Sequence, residues 1–148
     1  MRYLLLFIIL SVSSCKPVTV YEKLVDLPGQ QWSKKQNAVV IFDVNDSAAH
    51  QLYLIVRHTQ QYPFNKMLVK LAVQDTAKHI LSSMNISAPL TNSTGDWNGE
   101  KMDDILYNRI KIDPPLFLKP GTYRFVLQQQ MKEDLVPHIL NVGIAMDR

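Results

Sequence analysis

Cysteine is almost missing from this chain: Cys15 is the only one in 148 residues. A lone thiol has no intramolecular partner, which excludes a fold stapled by disulfides. Glycine is sparse as well, five residues in all. None of them builds a Gly-rich phosphate loop or a G-x-S-x-G elbow, so nucleotide-phosphate binding and that class of serine hydrolase have no residues to work with. The histidines, His50, His58, His79 and His138, stand apart with no H-x-x-x-H or H-x-E spacing, which argues against a zinc site. Asp43-Val44-Asn45-Asp46 resembles the start of a calcium loop. However, Ala48 stands where the sharp-turn Gly belongs and Leu54 where the bidentate Glu belongs. Asp103 and Asp104 are adjacent carboxylates that read as a solvated turn. On a strand they would point to opposite faces and could not line one cleft. Charge of one sign is also lacking, with 16 Lys+Arg against 13 Asp+Glu for a net +3, and loss of Arg2 with a leader would lower that by one. No dense basic stripe of the kind that contacts phosphates appears, so nucleic acid is not an expected partner. No cofactor, no metal and no small-molecule substrate are expected, and the chain reads as a non-enzyme.

Long apolar runs are likewise missing. The longest, Leu4–Leu10, falls well short of the about 20 residues that a membrane-spanning helix needs. Its setting is informative nonetheless. Arg2 supplies a positive charge before it, and Ser11-Val12-Ser13-Ser14 follows with small residues, the order of a secretory signal. Val12-Ser13-Ser14-Cys15 then has the form of a lipobox: a branched apolar residue, two small residues and the thiol that accepts diacylglycerol. The expected division is a cleaved leader over 1–14, a lipidated tether over 15–20 and one domain over 21–148. A bacterial lipoprotein carries three acyl chains, where one chain alone anchors only marginally, so attachment at Cys15 is expected to be permanent. Lys16 is not the Asp associated with inner-membrane retention, which favours the outer membrane. The lack of an acidic cluster after it favours a periplasm-facing domain.

The remaining chain, with apolar residues at 47% and charged residues at 20%, has an ordinary globular balance. Its rhythm is that of short strands. Val18–Leu24, Ala38–Phe42, Gln51–His58, Met67–Val73, Ile105–Ile112, Thr122–Gln129 and Leu140–Met146 are β-branched or alternating segments, with His79–Ser87 a weaker one. Leu27-Pro28-Gly29, Asn45-Asp46-Ser47, Tyr62–Asn65, Thr91–Asp96, Asp113-Pro114-Pro115 and Lys119-Pro120-Gly121 punctuate them. No window of about a dozen residues carries a capped helical stripe. The expected fold is all-β, an antiparallel β-sandwich of jelly-roll type in a single domain. Tyr123, Phe125, Leu127, Val142, Ile144, Leu52, Leu54, Val56, Val69 and Leu71 are its expected core.

Three side chains are candidate binding residues. Trp97 sits in Gly95-Asp96-Trp97-Asn98-Gly99, where flexible flanks suit presentation of a ring to a sugar, and Trp32 could complete such a platform. The competing expectation is that each indole plugs the core, because an aromatic buries a large apolar area. Arg57, at the end of an alternating strand, needs a carboxylate or carbonyl if it points inward, either as a clamp or as a binding residue.

The chain also resembles a family. Val20-Tyr21-Glu22-Lys23, Leu27-Pro28 and Trp32 after the lipobox are similar to the opening of the GldH-type gliding motility lipoproteins of Bacteroidetes. Leu54–Thr59, Tyr62–Asn65, Asp75-Thr76, Gly95–Gly99, Pro120–Tyr123, Gln129–Lys132 and Val142-Gly143 continue the resemblance in order over essentially the whole mature chain. Glu100-Lys101-Met102-Asp103, His138 and Lys132 depart from its usual residues. The resemblance implies a non-enzymatic accessory lipoprotein of the outer membrane, serving gliding motility and type IX secretion with envelope proteins as partners. A glycan-binding module is the alternative. The implied phylum also makes Asp46-Ser47-Ala48 and Asp75-Thr76-Ala77 candidate O-glycosylation signatures at Ser47 and Thr76.

Overall fold

The computed structural model describes residues 21–147. The leader, Cys15, the tether and the strand start expected at Val18–Val20 lie outside the described residues. The first element, β1 (Tyr21–Asp26), is stopped by Leu27-Pro28 and a 3-10 turn over Pro28–Gln30. Gly29 takes φ 65° there, a left-handed conformation that suits a residue without Cβ. The β-branched and alternating runs then form β3 (Ala38–Val44), β4 (Ala48–Thr59), β5 (Lys66–Gln74), β6 (Ile80–Pro89), β8 (Ile105–Leu118), β9 (Gly121–Gln129) and β11 (Ile139–Asp147). Three short strands, β2 (Gln31–Ser33), β7 (Glu100–Met102) and β10 (Leu135–Pro137), complete the set, and no α-helix occurs among the described residues.

Every strand pairing is antiparallel. One sheet runs β1-β11-β4-β8-β7, its partner runs β3-β9-β5-β6, and β10-β2 forms a separate ribbon. With the three short strands set aside, the long strands taken in chain order alternate between the two sheets except at the β5–β6 hairpin, which stays within one sheet, and this is the strand order of a jelly roll. The sandwich is therefore of the expected class.

The period of two along each strand fills the space between the sheets. Leu52, Leu54 and Val56 of β4 meet Met67, Val69 and Leu71 of β5, Phe125 and Leu127 of β9, and Val142 and Ile144 of β11 in one buried cluster. Phe42 and Phe125 sit edge to face at 5.4 Å. Tyr123 departs from the expected core. It is half-buried, because its hydroxyl must keep a polar partner: it donates to the Lys119 carbonyl at 2.9 Å and closes the β8–β9 turn.

Asp113-Pro114-Pro115 does not end its strand, contrary to expectation. β8 runs on to Leu118, and the register against β4 shifts between His50 and Leu52, so the prolines occupy a bulge. β7 pairs only with Ile105–Tyr107, which leaves the other edge of β8 free at this point, where a proline costs no ladder bond. Asp103 and Asp104 form the exposed β7–β8 turn.

Candidate functional site

The end of β4 and the two loops above it assemble an aromatic cluster. Alternation turns His58 to the inner face, where it is fully buried. The chain then folds back so that Tyr62 covers it, with ring centroids 5.2 Å apart, and the Tyr62 hydroxyl donates to the Lys66 carbonyl at 3.0 Å. Trp97, held by a bridge to Thr91, lays its half-buried indole 4.8 Å from the His58 ring, and Phe64 meets Tyr62 edge-on at 5.5 Å. His58 Nδ1 lies 2.8 Å from the Thr59 carbonyl, which can only accept, so Nδ1 carries the proton. Its Nε2 is buried without a hydrogen-bond partner among the described residues. Burial holds the imidazole below its usual pKa, against the Thr59 bond that raises it, and so favours the neutral ring. Burial likewise pushes the Tyr62 phenol up, with the charge of Glu133 adding to the effect.

The loop beside this cluster is held by its own side chains. Asn92 Oδ1 accepts from the Thr94 and Asp96 amides at 2.9 Å each, and Thr94 Oγ1 donates to Asp96 at 2.7 Å. The bonds from Thr94 and then Asn92 hold the Asp96 carboxyl below its ordinary range, hence ionised at neutral pH. Tyr62, Phe64 and Trp97 with Asn65, Thr91 and Asn92 line an open cleft here. Such a surface can stack one ring face and offer amide and hydroxyl hydrogen bonds. His58 lies fully buried behind Trp97.

A second polar arrangement covers the outer face of the five-stranded sheet. Residues directly opposite one another share a face, so Asp26, Asn141, Arg57, Tyr107 and Glu100 form one row across it. The Tyr107 hydroxyl donates to Glu22 at 2.6 Å, and burial, then this bond, pushes the phenol up to about 12. Arg109 grips Asp147 through both carboxylate oxygens at 2.8 Å and stacks 3.9 Å over the Tyr53 ring. Ile55, opposite Arg109 on this same face, is fully buried although it faces outward.

Residues 19–146 match the GldH lipoprotein family. The chain belongs to the GldH lipoprotein family. Membership carries anchoring at a membrane, as that name states. No match is found among curated proteins. Among solved structures, the infectious bursal disease virus VP2 subviral particle is similar at TM-score 0.42 and 11% identity, over 86% of this chain and 32% of that one. The dimeric latent PorU from Porphyromonas gingivalis is similar at TM-score 0.37 and 11% identity, over 87% of this chain and 13% of that one. The chain thus spans under a third of either structure, and likenesses this distant bear on no point below.

Within this family member the candidate residues do not converge. Cys15 lies outside the described residues. Trp32, in β2 opposite Val136 of β10, is fully buried with its Nε1 donating to the Gln36 carbonyl at 2.9 Å. A ring with no exposed face cannot stack on a ligand, so Trp32 is withdrawn as a binding residue. Arg57 sits on the outer face of β4 and makes no ion pair among the described residues. Its Nε is buried without a partner, so no carboxylate clamp forms. Trp97 packs on the inner-face neighbour of Arg57, which puts the two candidates on opposite sides of one sheet. Ser47 and Thr76 are both exposed, in the β3–β4 and β5–β6 turns. Sequence reasoning missed Tyr62, Phe64 and His58 as companions of Trp97, and the pairs Tyr107–Glu22 and Arg109–Asp147. The aromatic spacing of Tyr62 and Phe64 around Pro63 was the available signal for the first set. No local pattern links Glu22 to a residue 85 positions away.

Proposed function

We propose that this chain is an outer-membrane, periplasm-facing lipoprotein that serves gliding motility and type IX secretion as a non-enzymatic partner-binding module. The observation that carries the reading is the family match over residues 19–146, directly downstream of the lipobox cysteine Cys15. A lipid at Cys15 confines the domain to within a tether's length of one membrane and raises its effective concentration for partners in the same plane. Catalysis gains little from such confinement, whereas assembly depends on it. The test is complementation of a deletion strain. A lipid-anchored copy restores secretion and spreading, and a Cys15→Ser copy secreted in soluble form does so poorly. Equal rescue by both copies contradicts the reading.

A second reading is favoured by the cleft at Trp97, where an indole and Phe64 stand beside Asn65, Thr91 and Asn92. Under it the domain binds glycans through ring stacking. Binding of purified glycans that is lost in Trp97→Ala, with folding intact, would establish this reading over the first. Ser47 and Thr76 are proposed as O-glycan acceptors. An intact mass of natively expressed protein with no added hexose contradicts that assignment.

A further inference from the structure

β6 is one of the two terminal strands of the four-stranded sheet, paired with β5 on one edge and with no strand on the other among the described residues. Soluble proteins protect such edges with charges, prolines or very short strands, because the free N–H and C=O groups otherwise template another strand. β6 has a register shift at Leu81, near its start, and none of these devices over Ser82–Ala88. Ile80–Pro89 reads ILSSMNISAP, with no charged residue and a proline only at its last position. The other edges are guarded or tied: β3, at the far end of the same sheet, has Asp43 and receives Lys23 of β1 at its Ile41 carbonyl. The free edge of β8 carries Arg109, Lys111, Asp113 and two prolines, and β1 carries Glu22, Lys23 and Asp26.

The sequence of β6 is also its own complement. Met84 and Ile86 point inward, half-buried against the core, while Ser83, Asn85 and Ser87 point outward and are exposed. An antiparallel pairing of two β6 strands about a two-fold axis at Asn85 sets Met84 opposite Ile86 of the other copy, and Ser83 opposite Ser87. Both faces match from Ser83 to Ser87, since the side-chain period is two there. The inward apolar residues gain cover, and no like charges meet. Ile80 and Leu81, 62% and 55% exposed at the start of the strand, flank the same edge.

We infer that β6 is a homotypic docking edge: two copies of this chain join their four-stranded sheets into one continuous antiparallel sheet across β6. The contact is isologous and closes at two copies, so it leaves no further β6 edge to propagate. Anchoring of both copies in one membrane would raise their local concentration. The inference rests on β6 alone and is independent of the motility role.

The test measures the protein mass of the lipidated full-length chain in detergent micelles by light scattering. Wild type should contain two chains per particle. Asn85→Lys, and separately the pair Ser83→Lys with Ser87→Lys, should halve that mass with unchanged circular dichroism, because all three side chains are exposed. A single-chain wild type overturns the inference, and so does a folded lysine variant that keeps two chains. In native membranes, Asn85→Cys should give a disulfide dimer on mild oxidation, while Asp104→Cys in the β7–β8 turn should not. Equal crosslinking at the two positions, or none at position 85, also overturns it.

Discussion

Two of the long strands that end a sheet, β1 and β6, solve the same problem in opposite ways. Each ends a sheet and offers one unpaired edge. β1 places Lys23 on its inner face, and that ammonium donates to the Ile41 carbonyl of β3 and lies 5.2 Å from the Phe42 ring. One inward-pointing charge thereby ties the edge of one sheet to the edge of the other and closes that side of the sandwich. Glu22 accepts from Tyr107 and Asp26 accepts from Asn141, so all three charges of β1 are used. β6 has serine, asparagine and methionine where β1 has charges, and the bond made to it from Asn98 Nδ2 to the Pro89 carbonyl, at 3.4 Å, is confined to the strand's last residue. The difference teaches that edge protection is a property of particular side chains. The fold alone supplies none.

The largest expected effect lies in what both edges share. Phe125→Ala removes a fully buried ring that meets Phe42 edge to face. It should cost about 3–5 kcal/mol by urea unfolding. Next comes a break on the β1 side. A Cβ at Gly143 would run into the Lys23 carbonyl and the Leu24 backbone. Gly143→Ala should therefore cost about 1–3 kcal/mol and free β1 to proteolysis while β6 is unchanged. If β1 and β6 loosen together, the two sides are not independent. Lys23→Ala, which leaves the backbone alone, should cost about 1 kcal/mol, for one hydrogen bond and one exposed cation–π contact.

The smallest effect sharpens the comparison at the cluster where the β6–β7 loop is pinned. Burial lowers the pKa of His58 from 6.5, so the folded state binds its proton more weakly than the unfolded state does. The stabilisation is complete above 6.5 and is lost as pH falls from there toward the folded value. The melting temperature should drop between pH 7.5 and pH 5.5, and His58→Phe should flatten that slope relative to wild type. An unchanged slope contradicts the assignment of a neutral, buried ring.

Most of the fold was legible because period-two alternation and Pro/Gly punctuation are local signals. β3, β4, β5, β9 and β11 lie where Ala38–Phe42, Gln51–His58, Met67–Val73, Thr122–Gln129 and Leu140–Met146 placed them. β2, β7 and β10 were not legible, since three residues carry no period. The run through Pro114 and Pro115 was misread because a proline stops a strand only where its N–H would be used, and the bulge removes that need. The site was less legible than the fold. Trp97 was singled out by its loop, but its contact with His58 depends on two loops meeting, which no single window of sequence contains. Arg57 had an alternation pattern that could have placed it outward, opposite to Leu54 and Val56.

Hydrogen exchange of the lipidated protein at a series of concentrations tests the contrast between the two edges most directly. The amides of β6 should become more protected as concentration rises, while those of β1 stay constant, and Asn85→Lys should remove the dependence. Concentration-independent exchange in β6, or equal changes in β1 and β6, would contradict the account.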